Sequence, residues 1–205
     1  MELEEALVQI TEIRTQMART EVFRGYRAVP AAFSGAVALT AATVQAIAVK
    51  DPVQNYPAYL TLWIGAAVVS GASAVAEMLI HARSSDSSLT REQTALAMEQ
   101  FSPCLAAGGL TTLVIARSCP TLVWILPGLW QIFYSLGIFA TSRLLPRPML
   151  LVAVFYGLTG LATLAAAQGE WAMNPIAMGL PFSVGQFLAA AILHRTLESD
   201  SHDAA

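Results

Sequence analysis

Charge is scarce in this chain. Asp, Glu, Lys and Arg make up only 12% of its 205 residues, hydrophobic residues make up 56%, and mean hydropathy is +0.57. A soluble domain carries about 25% charged residues. The charge is absent from six long windows, each close to the ~20 residues that cross a hydrocarbon core of ~30 Å. This argues against a soluble domain and for one polytopic unit whose first partner is the lipid bilayer. Basic runs are also lacking and the formal net charge is −3, so no nucleic-acid partner is expected.

Cysteine and histidine are scarce too. If Cys104 lies on a helix that ends near Cys119, the two are up to ~22 Å apart at 1.5 Å per residue. A disulfide needs Cα atoms within about 7 Å, so both are read as free thiols. Their spacing is not that of a metal site. His81 and His194 fall at the ends of spans beside arginines, where solvated histidines are common, and His202 is in the tail. Neither haem nor metal is assigned to them. Gly71-Ala72-Ser73-Ala74 has the spacing of an intramembrane serine nucleophile, but no histidine sits at matching depth to take its proton. GxSxG, HExxH and phosphate-cradling glycine loops are all missing. No catalytic residue, cofactor or metal is assigned, enzymatic activity is not expected, and no motif points to a characterised family. A cleavable leader is not expected either, because residues 1–27 are charged throughout and begin acidic.

What is present is an all-α pattern. Residues 1–27 read as a cytoplasmic amphipathic helix. Leu3, Leu7, Ile10, Ile13 and Met17 recur at three- and four-residue spacing, which puts them on one face. That face suits the lipid surface or a protein partner. Residues 28–195 read as a six-helix transmembrane bundle, with spans at about 29–49, 57–80, 101–116, 121–141, 149–167 and 174–193. Residues 196–205 form a polar tail. The spans fall into three consecutive hairpins, and Gly35, Gly108 and Gly157 recur in the first halves of the odd spans, as in an internal repeat.

Topology follows from the basic residues. Arg14, Arg19, Arg24, Arg27, Arg83, Arg91, Arg143, Arg147 and Arg195 fall on one side of six spans, and Lys50 and Arg117 on the other. Cytoplasmic segments carry the Lys and Arg excess, so both termini are expected in the cytoplasm. The expected location is a cell membrane of the bacterial inner-membrane type.

The candidate site lies near the midplane. Gln131 and Gln186 are amides about ten and twelve residues into their spans, roughly 15–18 Å deep at 1.5 Å per residue. A buried amide without partners costs on the order of 2–7 kcal/mol. Pro127 and Pro181, each just before its glutamine, are read as helix-kink positions that free a carbonyl one turn earlier. Trp130, Tyr134, Ser135 and Ser183 are the expected neighbours, and Gln45 is a weaker member of the set. Glu77 is the acidic residue clearly inside a span, and a gate or interfacial charge by default.

Two function classes stay open. One is a protein that binds or passes a small neutral solute at Gln131 and Gln186. The other is a sensor, scaffold or regulatory subunit that holds a cytoplasmic partner, or a second copy of itself, through its amphipathic helix and basic loops. The first class requires a cavity reaching the glutamines, and the second a closed core.

Overall fold

The computed structural model describes residues 28–84 and 88–202, with the backbone alone at 81, 82, 84, 88–91 and 197–202. The amphipathic helix expected over residues 1–27 lies outside the described residues. All the described elements are helical: α1 (Ala28–Ala48), α2 (Tyr56–Ser84), α3 (Ser88–Ser118), a 3-10 turn (Pro120–Ile125), α4 (Leu126–Ala140), α5 (Met149–Ala166) and α6 (Pro175–His202). In a chain this apolar, a helix satisfies every backbone donor within its own segment, which an open sheet edge in lipid cannot do.

Five segments are long and apolar enough to cross a membrane: Ala28–Ala48, Tyr56–Ile80, Pro120–Ala140, Met149–Ala166 and Pro175–Thr196. The sixth expected span, 101–116, lies inside α3 but does not reach the same length and hydropathy. Its apolar run is short, hemmed between Glu99 and Arg117, and interrupted by Ser102-Pro103. At the chain's far end, α6 continues through His202, into residues that read from sequence as a polar tail.

The helices run up and down. Short connections join α1 to α2 and α4 to α5, and the packing pairs are antiparallel. α1 packs chiefly on α6 and α4 chiefly on α5. α3 packs on α4 and α2 on α1, whereas α2 and α3 touch each other little. One end of the bundle carries Arg83, Arg143, Arg147 and Arg195 and is called the basic end; Lys50 and Arg117 lie at the opposite end.

Small residues set these pairings. α1 buries Ala31, Gly35, Ala38, Ala41 and Gln45, a stripe at helical spacing. A side chain at Gly35 would meet the Phe187 ring at 3.1 Å, and Gly179 of α6 lies against Ala42. On the α4–α5 seam, a Cβ at Gly160 would come within 2.8 Å of the Gly128 carbonyl oxygen and 2.9 Å of Ile132. A Cβ at Gly157 would lie 3.1 Å from Ser135 Oγ, which donates to the Ala153 carbonyl at 2.7 Å. Ala153, Gly157 and Gly160 therefore form the α5 side of one small-residue contact. In lipid the driving force between helices is van der Waals packing, and small residues let backbones approach closely. The outward faces carry Val29, Phe33, Val68, Leu110, Leu151, Leu158 and Ile176, all exposed. These are the faces that lipid tails would cover.

Three apolar clusters fill the interior. One joins Ala31, Ile138, Met149, Val152, Tyr156, Ala189 and Leu193 toward the basic end. A second joins Ala41, Val49, Tyr59, Trp63, Val123, Leu126, Met173 and Met178 at the opposite end. A small third, Met78, Ala97 and Leu144, pins the end of α2 to α3 and the α4–α5 connection.

Candidate functional site

The interior polar groups fall into three layers between the ends. The layer farthest from the basic end is built on Gln45, which is fully buried. Its Oε1 accepts from Trp63 Nε1 of α2 at 2.7 Å, and its Nε2 donates to the Met173 carbonyl at 2.7 Å. One amide thereby ties α1, α2 and the α5–α6 connection together. With Tyr59, Trp63, Leu126 and Met178 packed around it, this end of the bundle is closed. Sequence reasoning ranked Gln45 below the other glutamines. The missed signal was Trp63, an indole donor inside a span that has to find an acceptor.

The middle layer is Gln131, also fully buried. Pro181 lies inside α6 and has no N–H, so the Ala177 carbonyl one turn earlier loses its helical donor. Gln131 Nε2 donates to that carbonyl at 3.1 Å. The amide of α4 thus fills the hydrogen bond that proline removes from α6. Gln131 Oε1 has no partner among the described residues. Ser183, one turn past Gly179, bonds back along its own helix, donating to the Gly179 carbonyl at 2.6 Å. The same repair occurs in α3, where Ser102 Oγ donates at 3.2 Å to the Glu99 carbonyl that Pro103 leaves open.

Pro127 sits differently from Pro181. It falls in the first turn of α4, after the 3-10 turn, and the Val123 carbonyl it would have bonded accepts from the Leu126 N–H instead. A proline is tolerated there because first-turn donors have no intrahelical partner. The Pro127 and Pro181 environments are therefore not equivalent.

The third layer lies toward the basic end and joins Tyr134 to Gln186. Gln186 Nε2 donates to Tyr134 Oη at 2.6 Å. Tyr134 is ringed by Phe101 at 5.6 Å, Tyr156 at 4.8 Å and Phe182 at 5.8 Å between centroids, all edge-on. Edge-on aromatic pairs contribute about 0.5–1.5 kcal/mol each beyond their burial. Tyr156 Oη donates to the Phe182 carbonyl at 3.2 Å. Gly185 makes this possible, since a Cβ there would stand 2.5 Å from the Tyr156 ring.

Against this third layer lies a cavity of about 50 Å³. Every helix reaches it: Ser34 from α1, Ala74 from α2, Phe101 from α3, Tyr134 from α4, Val152 from α5 and Gln186 from α6. Thr141, Leu145 and Met149 line it toward the basic end. Its walls are apolar except for Tyr134, Gln186, Ser34 and Thr141, and no charged residue lines it.

The structure thus separates residues that sequence reasoning grouped. Gln131 and Gln186 do not bond each other, and Gln131 does not line this cavity. Trp130 turns to α3, where its Nε1 donates to Thr112 Oγ1 at 2.8 Å. Ser135 belongs to the α4–α5 seam. Glu77 is half-buried and engaged by a neighbour, three residues beyond the cavity-lining Ala74. Leu3, Leu7, Ile10 and Ile13 lie outside the described residues. Ser34, Phe101, Thr141 and Tyr156 are site residues that sequence did not flag; Phe101 and Tyr156 carry no short-range signal that separates them from lipid-facing aromatics. No family model, curated protein or solved structure matches this chain.

Proposed function

We propose that the protein is a multi-pass membrane protein that binds a small neutral solute between Tyr134 and Gln186 and passes it across the bilayer. In this reading α3 supplies a sixth crossing through residues 101–116, and residues 1–27 form a cytoplasmic amphipathic helix. Both termini face the cytoplasm of a bacterial-type inner membrane, as the Arg excess at one end argues. The basic end is then the cytoplasmic end, the cavity is reached from inside, and the Gln45 layer is the closed outer side.

One observation carries the reading. Six helices converge on a single cavity whose few polar groups meet at one hydrogen bond, Gln186 to Tyr134. Ligand sites are typically apolar concavities with a few convergent polar groups. The lining holds no carboxylate, which supports an uncharged cargo and argues against coupling to an ion.

The test is accessibility. In a chain carrying Cys104→Ser and Cys119→Ser, a cysteine replacing Ser34 should react with a membrane-impermeant thiol reagent applied to inside-out vesicles, and resist it in right-side-out vesicles. A Ser34→Cys chain that is inert from both sides removes the solute path.

The second reading, a sensor or scaffold holding a cytoplasmic partner or a second copy, draws on the tightly packed Gln45 half. It expects Ser34→Cys to be inert and deletion of residues 1–27 to abolish partner recovery.

A further inference from the structure

The cavity wall carries a matched donor and acceptor with nothing to bond. Tyr134 Oη accepts from Gln186 Nε2, so its own O–H is left to donate. Tyr156 stands beside the Gln186 amide as well, but its single hydroxyl hydrogen goes to the Phe182 carbonyl, so among the described residues neither the Tyr134 hydrogen nor Gln186 Oε1 has a hydrogen-bond partner. Both side chains line the cavity, Gln186 is 7% exposed, and the hydrogen bond between them holds the two groups side by side. An unpaired polar group inside a bilayer is costly, so this pair fits an occupant that offers one acceptor and one donor at the same atom. A hydroxyl does so: its oxygen accepts from Tyr134 and its hydrogen is donated to Gln186 Oε1.

The rest of the cavity limits what that hydroxyl is attached to. Phe101, Ile138, Leu145, Met149, Val152 and Ala189 offer carbon only. A dry cavity of about 150 Å³ holds a benzene ring. The volume here, about 50 Å³, takes about two to four heavy atoms. Water would satisfy the polar pair but leave the apolar wall wetted. We therefore propose, resting on the solute-binding reading above, that the cavity takes a short monohydric alcohol, its hydroxyl between Tyr134 and Gln186 and its alkyl end against Ile138 and Met149.

The test uses the full chain in lipid nanodiscs and 2-fluoroethanol as the probe. The fluorine resonance should broaden beyond its width with empty nanodiscs. Ethanol and 1-propanol should reverse the broadening, and 1-hexanol should not. Tyr134→Phe keeps the ring packing and removes the donor; Gln186→Leu removes the acceptor. Each should weaken the probe about 5-fold or more, while Gly65→Ala on the outward face should leave it unchanged. Equal affinity in Tyr134→Phe, Gln186→Leu and the parent chain overturns the proposal, because the hydroxyl then has no role. Occupation by xenon without 2-fluoroethanol also overturns it, and shows a dry apolar hole. Occupation by acetamide without 2-fluoroethanol sinks the alcohol assignment but leaves the solute reading standing. If none of these probes binds, both fall.

Discussion

Gln131 and Pro181 complete each other across two helices. The proline strips a donor from α6, and the glutamine of α4 supplies one to the same carbonyl, Ala177, at 3.1 Å. The bond is specific in a way that two amides meeting at random would not be. It follows that Pro181→Ala, which restores the backbone donor, makes the Gln131 side chain redundant. The two changes are expected to be non-additive: Gln131→Leu costs about 1 kcal/mol in the parent chain and close to nothing in Pro181→Ala. A double-mutant cycle measured by detergent unfolding checks this. Additive costs would show that the Ala177 contact contributes no coupling.

The three glutamines differ in what their loss exposes. Gln45→Leu leaves both Trp63 Nε1 and the Met173 carbonyl without partners, at about 1–3 kcal/mol each. Gln131→Leu strands one carbonyl but also removes the unpartnered Oε1. Gln45→Leu should therefore lower the unfolding midpoint clearly more than Gln131→Leu. The reverse order would mean that the closed end contributes less than the middle layer.

Glycines supply an internal comparison. Gly160→Ala forces a methyl to within 2.8 Å of the Gly128 carbonyl oxygen, so α4 and α5 must move apart. Overpacking of this kind costs about 1–3 kcal/mol. Gly65→Ala and Gly71→Ala meet nothing within 4 Å and replace a poor helix former. They should leave stability unchanged or raise it by up to about 1 kcal/mol. Equal losses at Gly160 and Gly65 in an unfolding assay would contradict the α4–α5 seam.

Ala189→Leu fills the cavity from α6 without touching the Tyr134–Gln186 bond. Solute binding should be lost while the unfolding midpoint stays within the range of tolerated core changes, at a cost under about 3 kcal/mol. A chain that still binds 2-fluoroethanol with leucine at 189 would place the ligand elsewhere.

The helical segments were legible because each is an apolar run closed off by charge. Val49 gives way to Lys50-Asp51 and Phe139-Ala140 to Arg143, and the helix ends fall nearby. How far along their helices Gln131 and Gln186 stand was legible too, since residue count fixes that. Their partners were not. Which way an amide points depends on how α4 is rotated, and that rotation is set by Gly128 meeting Gly160 across sequence. Pro127 looked like Pro181 because both precede a glutamine. The 3-10 turn over Pro120–Ile125 moves the start of α4 up to Leu126 and so puts Pro127 in its first turn, which no local pattern announces. Segment 101–116 shows the reverse limit. It is read as a span on length, yet Ser102-Pro103 and Arg117 hold its hydropathy below that of the other five.

The pairing of α1 with α6 has a consequence for how the molecule is made. Gln45 and Met173, which bond each other, are 128 residues apart in the chain. Synthesis proceeds from the N-terminus, so α1 enters the bilayer long before its main partner exists. Neighbouring hairpins such as α4 and α5 are free to lock as soon as they are made. The stripe from Ala31 to Gln45 must wait for the last helix. Assembly of the described bundle is thus completed only when α1 meets α6, and a chain truncated before α6 would retain its hairpins while leaving α1 without the surface it was shaped to meet.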